Sequence, residues 1–198
     1  MTASVVGPDG KPLAGAHAAG LSPVFGFSRF EQRKLGSASF KVGGLAPRRP
    51  RAVFLFHQEK KLARVQRFEG DEKGPVTVRL EPLAALTGRL LDADGKPAAG
   101  LKVAALMSVR QEDYKELPID LLYDYPSWSK LTNAEATTDK DGRFRIEGLV
   151  PGLKYLVNVK DGSEILPAYT RDVPALESGK AGDLGDLKAR PAPGKGKE

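Results

Sequence analysis

The chain repeats itself, and that constrains its fold more than any other feature. Residues 5–15, Val-Val-Gly-Pro-Asp-Gly-Lys-Pro-Leu-Ala-Gly, align with residues 90–100, Leu-Leu-Asp-Ala-Asp-Gly-Lys-Pro-Ala-Ala-Gly, at an offset of 85. Residues 40–47, Phe-Lys-Val-Gly-Gly-Leu-Ala-Pro, align with residues 144–151, Phe-Arg-Ile-Glu-Gly-Leu-Val-Pro, at an offset of 104. The second copy therefore holds 19 extra residues between its two matched blocks, and the surplus is expected within residues 107–138. Insertions of this kind land in loops.

The repeated blocks are turn and strand in character. Asp-Gly followed by Lys-Pro supplies one residue free to take a positive φ and then one that fixes φ, which reverses the chain after a strand. The flanking segments alternate apolar and polar residues with the period of two expected of a strand with one buried face. Leu86, Gly88 and Leu90 alternate with Thr87 and Arg89; Phe144 and Ile146 with Arg143, Arg145 and Glu147; Tyr155, Val157 and Val159 with Lys154, Asn158 and Lys160. In the first copy Val76, Val78 and Leu80 alternate with Thr77, Arg79 and Glu81. The run Ala52-Val53-Phe54-Leu55-Phe56 is apolar throughout and is expected to be a strand covered on both faces. Turn signals about every ten residues favour β-sandwiches, with about seven strands in each copy. Only residues 111–123 are suited to a helical turn.

With both blocks placed, the chain resembles the carboxypeptidase regulatory-like domain, a prealbumin-like, Ig-like Greek-key sandwich also grouped with carbohydrate-binding-like folds. The second copy carries that pattern nearly whole: Gly88, Asp94-Gly95-Lys96-Pro97, Gly100, residues 138–149 (Thr-Asp-Lys-Asp-Gly-Arg-Phe-Arg-Ile-Glu-Gly-Leu), Pro151-Gly152 and Tyr155. The first copy is degenerate. Ala3 replaces Gly88, Gly36-Ser37-Ala38-Ser39 replaces the Thr-Asp-x-x-Gly turn, and Arg48 follows Pro47. The expected organisation is all-β: one sandwich over residues 1–84, a second over 85–189 with its insertion, and a disordered Pro, Gly and Lys-rich tail over 190–198.

The resemblance implies a non-catalytic structural or binding module, an accessory part of a larger polypeptide, and it favours an extracytoplasmic location. The first strand begins at its first core position, so the expectation is the C-terminal part of a longer protein. The N-terminus has neither the basic start nor the apolar stretch of a signal peptide. No apolar run approaches the roughly 20 residues of a membrane span, so no membrane insertion is expected. Cysteine is absent, which excludes disulfides and thiolate chemistry. Related adhesin repeats form a Lys to Asn bond from a first-strand Lys; only Arg89 stands in the first strands here, and no such crosslink is expected.

Candidate sites are few. Aromatic residues gather in the insertion, and Tyr123, Tyr125 and Trp128, stiffened by Pro126, offer flat rings for a polysaccharide or a protein partner, or a lid over one end of the sandwich. The alternative functions are accordingly a carbohydrate-binding module and an accessory domain of an upstream enzyme. Charge divides unevenly: residues 1–84 hold 14 Lys or Arg against 7 Asp or Glu, whereas the remainder is near neutral. Arg48, Arg49 and Arg51, with Lys60, Lys61, Arg64 and Arg67, are the candidate contacts for a polyanion. Nucleic acid is not the expected partner, because neither a reading helix nor interleaved aromatics accompany these cations.

His17 and His57 fall on different strands, outside any metal or triad pattern. Residues 92–95 and 139–142 resemble the start of a calcium loop but lack its later ligands, and turn chemistry explains both. No nucleophile with a base, metal set or cofactor motif assembles from the sequence, so no enzyme activity and no cofactor are expected.

Overall fold

The computed structural model describes residues 1–22, 33–47, 51–108 and 134–189. The chain divides into two compact units, with the break between Leu83 and Ala84. The described residues form an all-β structure, relieved by a single 3-10 turn at Pro167–Tyr169. No helix among them is long and apolar enough to cross a membrane.

The first unit contains β1 (Thr2–Val6), β2 (His17–Ala19), β3 (Arg33–Lys34), β4 (Ser39–Lys41), β5 (Arg51–His57), β6 (Leu62–Phe68), β7 (Val76–Arg79) and β8 (Glu81–Pro82). They build a three-stranded sheet of order β4-β1-β7 and a five-stranded sheet of order β3-β2-β5-β6-β8. The chain passes between the sheets at β1 to β2, β3 to β4, β4 to β5, β6 to β7 and β7 to β8. One apolar core fills the space between: Ala3, Val5, Phe40, Val78 and Leu80 meet Ala18, Val53, Leu55, Leu62 and Phe68, which makes the unit a sandwich. Strand β5 is buried on both faces as its unbroken apolar run predicted.

The second unit contains β9 (Ala84–Leu91), β10 (Lys102–Met107), β11 (Ala134–Thr137), β12 (Arg143–Leu149), β13 (Tyr155–Asp161), β14 (Glu164–Ile165), β15 (Arg171–Val173) and β16 (Ala181–Lys188). Its three-stranded sheet runs β12-β9-β16, and its larger sheet runs β11-β10-β13-β14 with β15 also paired to β13. Phe144 and Ile146 are buried while Arg143, Arg145 and Glu147 are exposed, and Tyr155, Val157 and Val159 are buried in turn, so the period-two pattern holds along β12 and β13; in the middle strand β9 it does not, since Thr87, Gly88 and Arg89 are all half-buried.

The two units share their strand pairing in detail. His17 faces Phe56 in the first and Lys102 faces Lys160 in the second; Ala3 faces Phe40, and Gly88 faces Phe144. Each pair is related by the offsets of 85 and 104 seen in the sequence. The strand at the sheet edge follows a different offset: Ala18 faces Arg33 where Val103 faces Ala136, a shift of 103 for the second partner. Eighteen of the 19 extra residues thus fall before β11, and the nineteenth lies in the turn after it. The second unit also breaks the continuous β6 into β14 and β15, with the 3-10 turn between them. In both units the first strand pairs parallel with the last strand of its own sheet: β1 with β7 and β9 with β16.

Candidate functional site

The polar residues of the repeated motifs lie at two turns at one end of each unit. At the first corner of the second unit, the backbone N–H of Lys96 donates to Asp92 Oδ1 at 2.8 Å and the N–H of Asp92 donates to the Lys96 carbonyl at 2.9 Å. In the first unit Gly7 takes the place of Asp92, and Asp9 Oδ1 accepts instead, from the N–H of Lys11 at 3.1 Å. At the second turn, Asp139 Oδ1 accepts from the N–H groups of Asp141 and Arg143 at 2.9 and 2.8 Å. These carboxylates hold backbone donors in Asx-type turns. Among the described residues no three His, Cys, Asp or Glu side chains gather as a metal site would require.

Thr138 anchors the second turn to the corner. Its side chain is buried; the hydroxyl donates to the Ala98 carbonyl at 2.8 Å and accepts from the N–H of Leu101 at 3.0 Å. Gly142 closes the turn at φ +75°, and a Cβ there would stand 2.4 Å from the Leu90 carbonyl oxygen. In the first unit the same turn is one residue shorter. The N–H of Val5 bonds the Ala38 carbonyl where that of Leu90 bonds Gly142, while Leu35 makes the backbone bonds of Thr138.

The opposite flank of each unit holds a buried polar residue at one equivalent position. In the second unit it is Tyr155, fully buried, whose hydroxyl accepts from the N–H of Val150 at 2.8 Å. At the same place in the first unit stands Arg51, whose guanidinium donates to the carbonyls of Gly43 and Gly44, the latter at 2.8 Å. Each side chain ties the start of a central strand to the loop that precedes it. In sequence Tyr155 is a strand position and part of the family pattern, and the offset of 104 that leads from Arg51 to Tyr155 is the signal for their shared place.

That geometry corrects one expectation. Arg51, grouped in sequence with Arg48 and Arg49 as a polyanion contact, is 8% exposed and bonded inward. A guanidinium so placed does not face a ligand. Arg64 pairs with Glu81 at 2.6 Å and Arg67 with Glu69 at 2.7 Å, which reduces the positive charge of β6. Lys60 and Lys61 are exposed in the β5–β6 hairpin, and Lys61 takes a φ of +52°. Arg48 and Arg49 lie outside the described residues, as do Tyr123, Tyr125, Trp128, the helical expectation at 111–123 and the tail. A groove of about 340 Å3 in the first unit brings Arg33, Lys34 and Lys41 around Leu21 and Phe40, a grouping of cations that their positions along the chain do not signal.

The two histidines do not form a pair. His17 stacks on Phe56 with ring centroids 4.9 Å apart, and His57, the next residue after Phe56, points to the other face of the sheet. His57 Nδ1 accepts from the N–H of Lys60 at 3.4 Å.

No protein-family model matches the chain, and no curated protein does. Among solved structures it is similar to the Bacillus anthracis TIE protein, at 13% identity and a TM-score of 0.35 over 95% of this chain and 33% of that one. A streptococcal ancillary pilin is similar at 14% identity and 0.36, over 96% of this chain and 62% of the pilin. The shaft pilin SpaA of Lactobacillus rhamnosus GG is similar at 12% identity and 0.34, with 96% of each chain covered. The chain spans a third of the length of the first and less than two thirds of the second. Likeness this distant carries no function across, and the sandwich architecture rests on the chain's own pairing and core.

Proposed function

We propose that the chain is a tandem of two carboxypeptidase regulatory-like domains serving as a non-catalytic structural module of a longer extracytoplasmic protein. The observation that carries this reading is the strand-by-strand correspondence of the two units, since His17 to Phe56 recurs as Lys102 to Lys160 and Ala3 to Phe40 as Gly88 to Phe144. Duplication of a sandwich adds length and surface without adding a site. The polar residues of the shared motifs support the same reading, because Asp92, Thr138 and Asp139 all bind their own backbone. Fold alone does not assign function, so the module role needs its own test.

That test is an immunoblot of fractionated source cells with antibody raised to this chain. The expected result is a band well above 21.3 kDa in the envelope or secreted fraction. A soluble cytoplasmic band at 21.3 kDa would overturn the proposal and point to intracellular partners for the basic first unit.

A further inference from the structure

We infer that each unit is a shear clamp that bears tension applied along the chain. In the first unit the opening strand β1 lies directly beside β7, in parallel, with Ala3 facing Val76, Val5 facing Val78 and Val6 facing Arg79; only the two-residue β8, paired to β6 in the other sheet, follows before the second unit begins. In the second, β9 lies parallel to β16, from Ala85 facing Ala181 to Leu91 facing Lys188. Because the two strands of each pair run the same way, the chain enters the ladder at one end and leaves it at the other. A pull on the two termini therefore slides one strand along its neighbour. All the cross-strand hydrogen bonds are strained together, and none can fail first and alone.

The ladders are reinforced where that load enters and leaves. In the first unit the N–H of Leu80 extends the ladder to the Val6 carbonyl at 2.9 Å, and Arg79 donates to the Pro8 carbonyl just past the end of β1 at 2.6 Å. In the second, the N–H of Ala85 bonds the Lys180 carbonyl at one end and that of Ala189 bonds the Leu91 carbonyl at the other, both at 3.0 Å. The Thr87 hydroxyl crosses from β9 to the Gly182 carbonyl at 3.2 Å. Each opening strand is also the middle strand of its sheet, held on its far side by β4 or β12. Val5, Val78, Leu90 and Leu187 bury the inner faces, so water does not replace the bonds from within.

The two clamps differ in length. Four partner pairs join β1 to β7, and six join β9 to β16 across one irregularity. The first unit should therefore yield before the second, since resistance to forced unfolding follows the barrier and not the equilibrium stability.

The inference rests on the tandem-module reading for its purpose, and single-molecule stretching of the full chain separates the two. Handles on the two termini should give two ruptures. At up to about 3.6 Å per residue, the stretch Thr2–Arg79 releases up to roughly 280 Å and Ala84–Lys188 up to roughly 380 Å, the shorter release coming at the lower force. The natural chain has no cysteine, so the thiol of Asp94→Cys, in the exposed corner after β9, provides a unique second attachment. Pulling between that thiol and the C-terminus loads β9 and β16 from the same end and peels them apart bond by bond. The rupture force of the second unit should then fall several-fold. Equal force in the two geometries, or two weak ruptures end to end, would overturn the clamp and leave the modules standing. One merged release would overturn the tandem reading itself.

Discussion

The two units solve one packing problem with different chemistry. Where a central strand leaves its loop, the second unit buries a neutral phenol and satisfies it with the backbone of Val150, whereas the first buries a guanidinium against the carbonyls of Gly43 and Gly44. A second contrast lies at the sheet pair behind the first corner. Gly88 leaves room for the Phe144 ring, which a Cβ would meet at 2.7 Å, while the first unit carries Ala3 opposite Phe40 and keeps both buried. The lesson is that the register is common and the filling of it is local. A motif can decay in one copy when each lost contact is replaced by another of the same reach.

The largest expected effect is on Tyr155. Replacing it by Ala should destabilise the second unit by about 3–5 kcal/mol, as deletion of a fully buried aromatic does. Denaturant unfolding of the full chain should show that transition move while the first unit's stays in place. Two transitions moving together would break the comparison, because the units would not then be independent.

Gly142→Ala comes next. Holding a residue with a side chain in that backbone region costs roughly 1–3 kcal/mol, and the overlap with the Leu90 carbonyl adds to it. The shorter turn of the first unit needs no such residue, so Ala38→Gly should change little. A similar loss at both positions would mean that the turns are not distinct solutions.

Arg51→Met keeps the stem of the side chain and removes its donors. Hydrogen bonds from a charged group are worth about 1.5–3 kcal/mol, and the loss should appear in the first unit alone. Unchanged stability would place Arg51 among the surface cations after all and restore it to the polyanion surface.

The smallest effect concerns acid. Burial pushes the Glu72 carboxyl up, but the N–H groups of Glu72, Glu69 and Gly70 outweigh it and hold the carboxyl below its usual range. A depressed carboxyl contributes stability that is present above its unfolded pKa and lost as pH falls through its folded value. Glu72→Gln should therefore flatten the acid limb of the first unit's stability and leave the second unit's profile alone. An acid limb unaltered by the substitution would count against that role.

Much of this was legible in sequence. The Asp-Gly-Lys-Pro corners, the alternation along β12 and β13, and the buried run of β5 follow from residues within a few positions of each other. The candidate sites were less so. Arg51 reads as one more cation beside Arg48 and Arg49 until its partners, the Gly43 and Gly44 carbonyls, are seen, and Arg33, Lys34 and Lys41 come to one groove only through the sheet pairing.

By itself, then, the sequence determined the all-β class, the places where the chain turns, and the repeat of its motifs, because turn chemistry and period-two alternation are properties of short segments. Only the tertiary structure decided that β1 closes against β7 and β9 against β16, that one turn is a residue shorter than its counterpart, and that Tyr155 and Arg51 both turn inward to bond the loop before their strand. Those outcomes depend on groups far apart along the chain, such as the Leu80 N–H and the Val6 carbonyl, whose meeting is set by how two sheets pack around a shared core.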